Sequence, residues 1–140
     1  LNKFNFLIGS WNLEYKIPKS SFSEEATGKG SGTFKRTLKN KYVVFDYEAT
    51  FSTGKEAAAH GIFVWDKKLK MYRYWWFEDS GSFETATCNF INNKTLFMNW
   101  HNSHLIQTFT QIDENTVELR MENPDKDGNF ILVMEVILKK

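Results

Sequence analysis

The chain has 140 residues, enough for one domain built around one sizeable core. Its 18 Lys and Arg stand against 17 Asp and Glu, a balance that argues against a nucleic-acid partner, which needs a basic face for phosphates. The single cysteine, Cys88, excludes an internal disulfide framework and a cysteine-rich zinc site, and no apolar run approaches the roughly 20 residues of a membrane-spanning helix.

Aromatic residues are abundant, with 13 Phe, 5 Trp and 5 Tyr, and such side chains suit the pleated, half-buried surface of a sheet. Running into "FLIGSW" (residues 6–11), Phe4, Leu7 and Ile8 fall at i, i+3 and i+4 and predict one helical turn with an apolar face. Gly9 permits the sharp entry into a strand. From Ser10 the period becomes two: Trp11, Leu13, Tyr15 and Ile17 share one face, and Ser10, Asn12, Glu14 and Lys16 the other. Residues 18–29, "PKSSFSEEATGK", read as a long mobile loop, with a lid over a cavity mouth as the alternative.

Further strands are expected over 30–38, 42–51, 58–66, 71–78, 82–91, 95–101, 105–112, 116–123 and 130–138. Connectors such as Lys39-Asn40, Ser52-Thr53-Gly54, Asp79-Ser80-Gly81 and Asn92-Asn93 carry turn chemistry and are short, so successive strands pair as antiparallel hairpins. About ten strands in one meander leave two open edges, which closure removes. The expected fold is all-β: a single antiparallel up-and-down β-barrel over residues 1–140, with the N-terminal helical turn closing one end. A flat open meander is the competing arrangement. A barrel of this size holds its own side chains and one small ligand.

Gly9-Ser10-Trp11 at the entry to the first strand resembles the Gly-x-Trp signature of lipocalins and the wider calycin group. The order of "FLIGSW", "GKGSGTF", "GIFVWD", "YRYWWFED" and the final "ENPDKDGNFILVMEVILKK" is similar to a family of short bacterial calycin-like domains of unknown function. That resemblance implies a lipocalin-like barrel, with Trp11 packed across the closed end and a small apolar ligand inside. It supplies no catalytic residues. It also suggests that a late-strand arginine, Arg120, stacks on Trp11. Nitrobindins are more distantly similar and bind haem through a histidine near the C-terminal end. No histidine follows His104 here, so that ligand is missing and no cofactor is expected.

"MYRYWWFED" places Tyr72, Tyr74, Trp76 and Glu78 on one face, and Met71, Arg73, Trp75 and Phe77 on the other. Both faces are largely apolar; one fills the barrel, and the other meets a partner, an N-terminal segment or solvent. A homodimer through the outer face is therefore expected. The proposed ligand-binding set is Tyr15, Tyr47, His60, Trp76, Glu78 and Arg120: aromatic wall with a few orienting polar groups. The competing possibility is a barrel packed solid by its aromatics.

His101 and His104 in "WHNSH" lack a third zinc ligand nearby and read as surface residues. "DKDGN" begins like a calcium loop, but its twelfth position is Val136, so it reads as a hairpin turn. No metal is expected. "NKT" at 93–95 matches a glycosylation sequon that matters only in a secreted eukaryotic protein.

The function expected is binding of a small, mainly hydrophobic molecule. Its rivals are a barrel enzyme, such as an isomerase or hydrolase using Glu78 or His60 as acid or base, and a solid interaction module. The lone cysteine and the lack of a signal peptide favour a cytoplasmic location. Because the sequence starts at Leu1 and not Met, an exported form with a removed leader stays open.

Overall fold

The computed structural model describes residues 2–21 and 23–140. A 3₁₀ turn over Asn2–Phe6 leads into ten strands: β1 Gly9–Ile17, β2 Ala26–Thr37, β3 Tyr42–Phe51, β4 Glu56–Asp66, β5 Met71–Glu78, β6 Phe83–Asn92, β7 Thr95–Trp100, β8 Ile106–Asp113, β9 Thr116–Pro124 and β10 Phe130–Lys139. Each strand pairs antiparallel with its neighbours in sequence, and β1 also pairs with β10, matching Leu13 with Leu138 and Tyr15 with Val136. The barrel is closed, and the open meander is thereby overturned.

β2 begins at Ala26, earlier than the expected residue 30. Glycine in this stretch reads as flexibility, yet Ala26, Gly28, Gly30, Gly32 and Phe34 alternate inward against exposed Thr27, Lys29, Ser31 and Thr33. A methyl group on Gly28 would meet the Phe51 ring at 2.6 Å, and one on Gly32 the Phe45 ring at 2.6 Å. The small wall thus lets two rings of β3 lie back against β2. The connector shortens to residues 18–25; Phe22, within the stretch considered as a lid, lies outside the described residues.

The closed end is solid. Phe4, fully buried, packs its ring against Phe63, Tyr72 and Phe90 at centroid distances of 5.0, 5.1 and 5.1 Å. Burying such a side chain contributes about 1.5–3 kcal/mol. Gly9 turns the chain into β1 at φ +134°, and the Trp11 indole Nε1 donates to the Leu7 carbonyl at 2.7 Å. The cation over the Trp11 ring is Lys140, with Nζ 4.9 Å from the centroid. Arg120 is instead on the outer wall, 3.7 Å from Glu122 and 3.4 Å from Glu135, because Val117, Leu119 and Met121 take the inward positions of β9. The expected Arg120–Trp11 stack is corrected on that ground.

Motifs noted in the sequence resolve into turns. Asp66 of "GIFVWD" accepts hydrogen bonds from the amides of Lys68 and Leu69 and from Arg73 Nε. Asp125 of "DKDGN" accepts from the amides of Asp127 and Asn129, with Gly128 at φ +80°. His101 Nδ1 lies 2.7 Å from Thr85 Oγ1, and His104 is exposed. Among the described residues no helix is long and apolar enough to cross a membrane.

Candidate functional site

Strand alternation sends one aromatic after another into the lumen, but unevenly along the barrel axis. The 3₁₀ turn, Phe4, Phe63 and Phe90 occupy the closed half. Towards the other end, where β1 finishes and β2 starts, a cavity of about 330 Å³ remains. Its mouth lies beside the β7–β8 turn, where Asn102, Ser103 and Leu105 join Glu84 of β6. Asn102 Nδ2 donates to Glu84 Oε2 at 3.0 Å and ties that turn to the rim.

An arc of aromatic side chains runs round the cavity from β3 to β8. Phe45 stacks on Tyr47 with centroids 4.8 Å apart. Trp76 Nε1 donates to Tyr47 Oη at 2.9 Å. The rings of Trp76 and Trp100 meet edge to face at 6.2 Å, and Trp100 Nε1 donates to Gln107 Oε1 at 3.2 Å. These contacts hold each ring in one orientation, because every indole N–H is tied to a neighbour. Opposite the arc, Leu119, Met121, Met134 and Val136 supply an aliphatic wall with flexible thioethers.

The cavity's titratable groups are mostly phenols. Burial raises the pKa of Tyr15, Tyr47 and Tyr74 above the ordinary tyrosine value, and the proximity of these groups to one another raises Tyr15 and Tyr74 further. All three are neutral hydroxyls at physiological pH. Glu84, at the rim, is the acidic residue of the lining.

Of the six residues expected to bind ligand, three line this cavity: Tyr15, Tyr47 and Trp76. His60 lies on the outer wall, 70% exposed, with Nδ1 2.5 Å from Asp46 Oδ1. It alternates with the inward Ala59 and Gly61, so its exposed direction follows from the pleat. Glu78 ends β5 at the barrel rim and accepts from Ser80 Oγ at 2.5 Å; it borders a shallow outer groove shared with His60 and Phe77. Arg120 is outside, as described. The two residues considered as acid or base, His60 and Glu78, thus stand apart from the cavity lining. Among the described residues, no group of three or more His, Cys, Asp or Glu is arranged to hold a metal ion.

Gln107 and Trp100 were absent from the sequence-derived set. A signal for Gln107 existed: it is the polar member of the inward series Leu105, Gln107, Phe109, and it is 6% exposed. Trp100 carried one as well: it continues the inward alternation of Leu96 and Met98 along β7.

No family model matches the chain, and no curated protein matches it. Solved structures do. Rv2717c from M. tuberculosis superposes with a TM-score of 0.66 at 10% identity, over 100% of this chain and 98% of that one. The S-type phycobiliprotein lyase CPES from Guillardia theta gives 0.61 at 8% identity, over 99% and 90%. A redesigned β-barrel, mFAP1, bound to DFHBI, gives 0.57 at 11% identity, over the full length of both chains. At such identities the likeness is one of fold.

Proposed function

We propose that this protein is a binding barrel for a small, mainly hydrophobic molecule, held in the open half of the lumen by Tyr15, Tyr47 and Trp76. One observation carries the reading: a cavity of about 330 Å³ persists inside a barrel whose other half is packed solid, and its walls are aromatic and thioether side chains. Ligand sites are concave, largely apolar and preformed, commonly about 300–1,000 Å³, with few polar groups. Apolar ligand surface buried there contributes about 25 cal/mol per Å². The similar barrels include a redesigned one bound to DFHBI, which agrees with this use of the fold. The closed end, with Gly9 and Trp11 beneath the N-terminal turn, supports a calycin-like, lipocalin-type relationship.

The test is fluorescence titration with N-phenyl-1-naphthylamine, an apolar dye that brightens out of water. Saturable binding to the native protein is expected. Trp76→Ala removes a wall and the donor that holds Tyr47, and should weaken binding by about tenfold or more, equivalent to ~1.4 kcal/mol. Dye that binds equally well to Trp76→Ala counts against Trp76 as part of the site; no saturable binding to native protein counts against the whole reading.

A second reading concerns the outer wall. Phe77 and Phe83 are 41% and 66% exposed with ring centroids 6.3 Å apart, and Ile62 and Trp75 stand beside them in register. Exposed apolar side chains grouped in this way favour a homodimer through β4, β5 and β6. Sedimentation equilibrium should then give a concentration-dependent dimer that Phe83→Ser abolishes, and a monomer at all concentrations would exclude it.

A further inference from the structure

The polar atoms of the cavity are unevenly used. An indole N–H only donates, so the Gln107 atom facing Trp100 is the amide oxygen, and the Gln107 Nε2 hydrogens point elsewhere. Among the described residues no protein group accepts them, and the one fully buried side-chain N or O without a partner there is Ser23 Oγ, so Gln107 Nε2 opens onto the cavity. A ligand that covers it without accepting a hydrogen bond leaves a buried donor unpaired, at a cost of about 1–3 kcal/mol. The same reasoning applies to Tyr47. Its oxygen accepts from Trp76 Nε1, so its own hydrogen is directed to something else, and no protein acceptor takes it among the described residues. Tyr15 and Tyr74 line the same space. The lining includes no Lys, Arg or His among the described residues, and its one carboxylate, Glu84, is at the rim. An anionic group in the interior would lose its hydration with no cation in return.

Resting on the binding-barrel reading above, we infer that the ligand is uncharged and carries a carbonyl-type acceptor oxygen on a flat hydrophobic frame. Gln107 Nε2 and the Tyr47 hydroxyl are the donors that select it. The frame lies along the Tyr47–Trp76–Trp100 arc, and the oxygen takes up hydrogens that the protein itself leaves unmet. A hydrocarbon of the same shape fills the space but leaves those donors without a partner. Gln107 is thus a specificity residue, since it distinguishes oxygen-bearing ligands from their hydrocarbon counterparts.

Three probes of one shape test this by displacement of N-phenyl-1-naphthylamine: 2-acetylnaphthalene, 2-isopropenylnaphthalene and 2-naphthoate. The ketone should bind about tenfold or more tighter than the alkene, the size expected for one or two hydrogen bonds to otherwise unmet donors. The carboxylate should bind more weakly than the ketone. Gln107→Met combined with Tyr47→Phe should bring the ketone-to-alkene affinity ratio down to about one. The ratio is the readout because both substitutions also release the indole N–H groups of Trp100 and Trp76, and a ratio still near tenfold in this variant overturns the assignment of the donors. Ketone and alkene binding within twofold of each other on the unaltered protein overturns the inference and leaves the binding barrel standing. Naphthoate binding tighter than the ketone overturns it as well, in favour of an anion site. If neither the dye nor any probe binds, the binding-barrel reading fails and this inference with it.

Discussion

Gly61 on β4 faces the lumen directly beneath the Tyr74 ring. A methyl group there would sit 2.6 Å from Tyr74 Cε1 and Cζ, and nearer still to Oη. Tyr74 is 4% exposed and has little room to retreat, with its ring 4.4 Å from Phe63 and 5.7 Å from Trp100 by centroid. Gly61→Ala therefore overfills a packed site, a change that costs about 1–3 kcal/mol. Taking ~2 kcal/mol, and an unfolding entropy of about 2.1 cal/mol/K per residue over 140 residues, Tm should fall by about 7 °C. Urea denaturation should give the same loss at 25 °C. Tyr74→Phe removes the nearest atom but leaves the two ring carbons, so the double variant should recover only part of the stability, with a coupling of about 1 kcal/mol. A Gly61→Ala protein within ~0.5 kcal/mol of the parent, or strictly additive single and double variants, would refute the seating of Tyr74 on Gly61.

Burial pushes the Cys88 thiol up to about 12, so the fold favours its neutral form. A pKa raised on folding contributes stability that is complete below the unfolded thiol's pKa and is lost as pH climbs towards 12; urea midpoints should hold to about pH 8.5 and then decline, and a flat alkaline profile in both parent and Cys88→Ala would contradict this. The same burial should keep Cys88 unreactive to Ellman's reagent at pH 8 until denaturant is added, and prompt native-state labelling would place it at the surface. Lys140→Ala removes the cation over Trp11 and should cost about 0.5–1 kcal/mol in urea denaturation, an effect that Lys140→Arg largely preserves. His60→Ala, on the outer wall, should leave dye affinity within about twofold, whereas a tenfold loss would bring that wall into the site.

The fold was legible because two signals coincided along the whole chain. Alternation gave the inward face of β1 from Trp11 to Tyr15, and short polar connectors left hairpins as the economical connection. β2 was partly missed because glycine has no side chain with which to display alternation. Its inward role is visible only once Phe45 and Phe51 are seen lying against it. The cavity wall was legible where ring and pleat agreed, at Tyr15, Tyr47 and Trp76. It was misread where a charged or imidazole group in an apolar strand suggested burial. His60 and Arg120 occupy outward positions and pair there with Asp46, Glu122 and Glu135. Those partners lie on other strands or two residues away, so pairing depends on register, which spacing along a single strand does not encode.

The seam between β1 and β10 has a kinetic consequence. Every other pairing joins strands adjacent in sequence and can form as a local hairpin, while this one must bring together segments separated by nearly the whole chain. Loop-closure entropy makes such contacts late and slow. Until the seam closes, the growing sheet has two bare edges, one of which is β1 with the Trp11 face exposed, and bare edges recruit other chains. Refolding yield should therefore depend on protein concentration far more steeply than the stability of the finished barrel does.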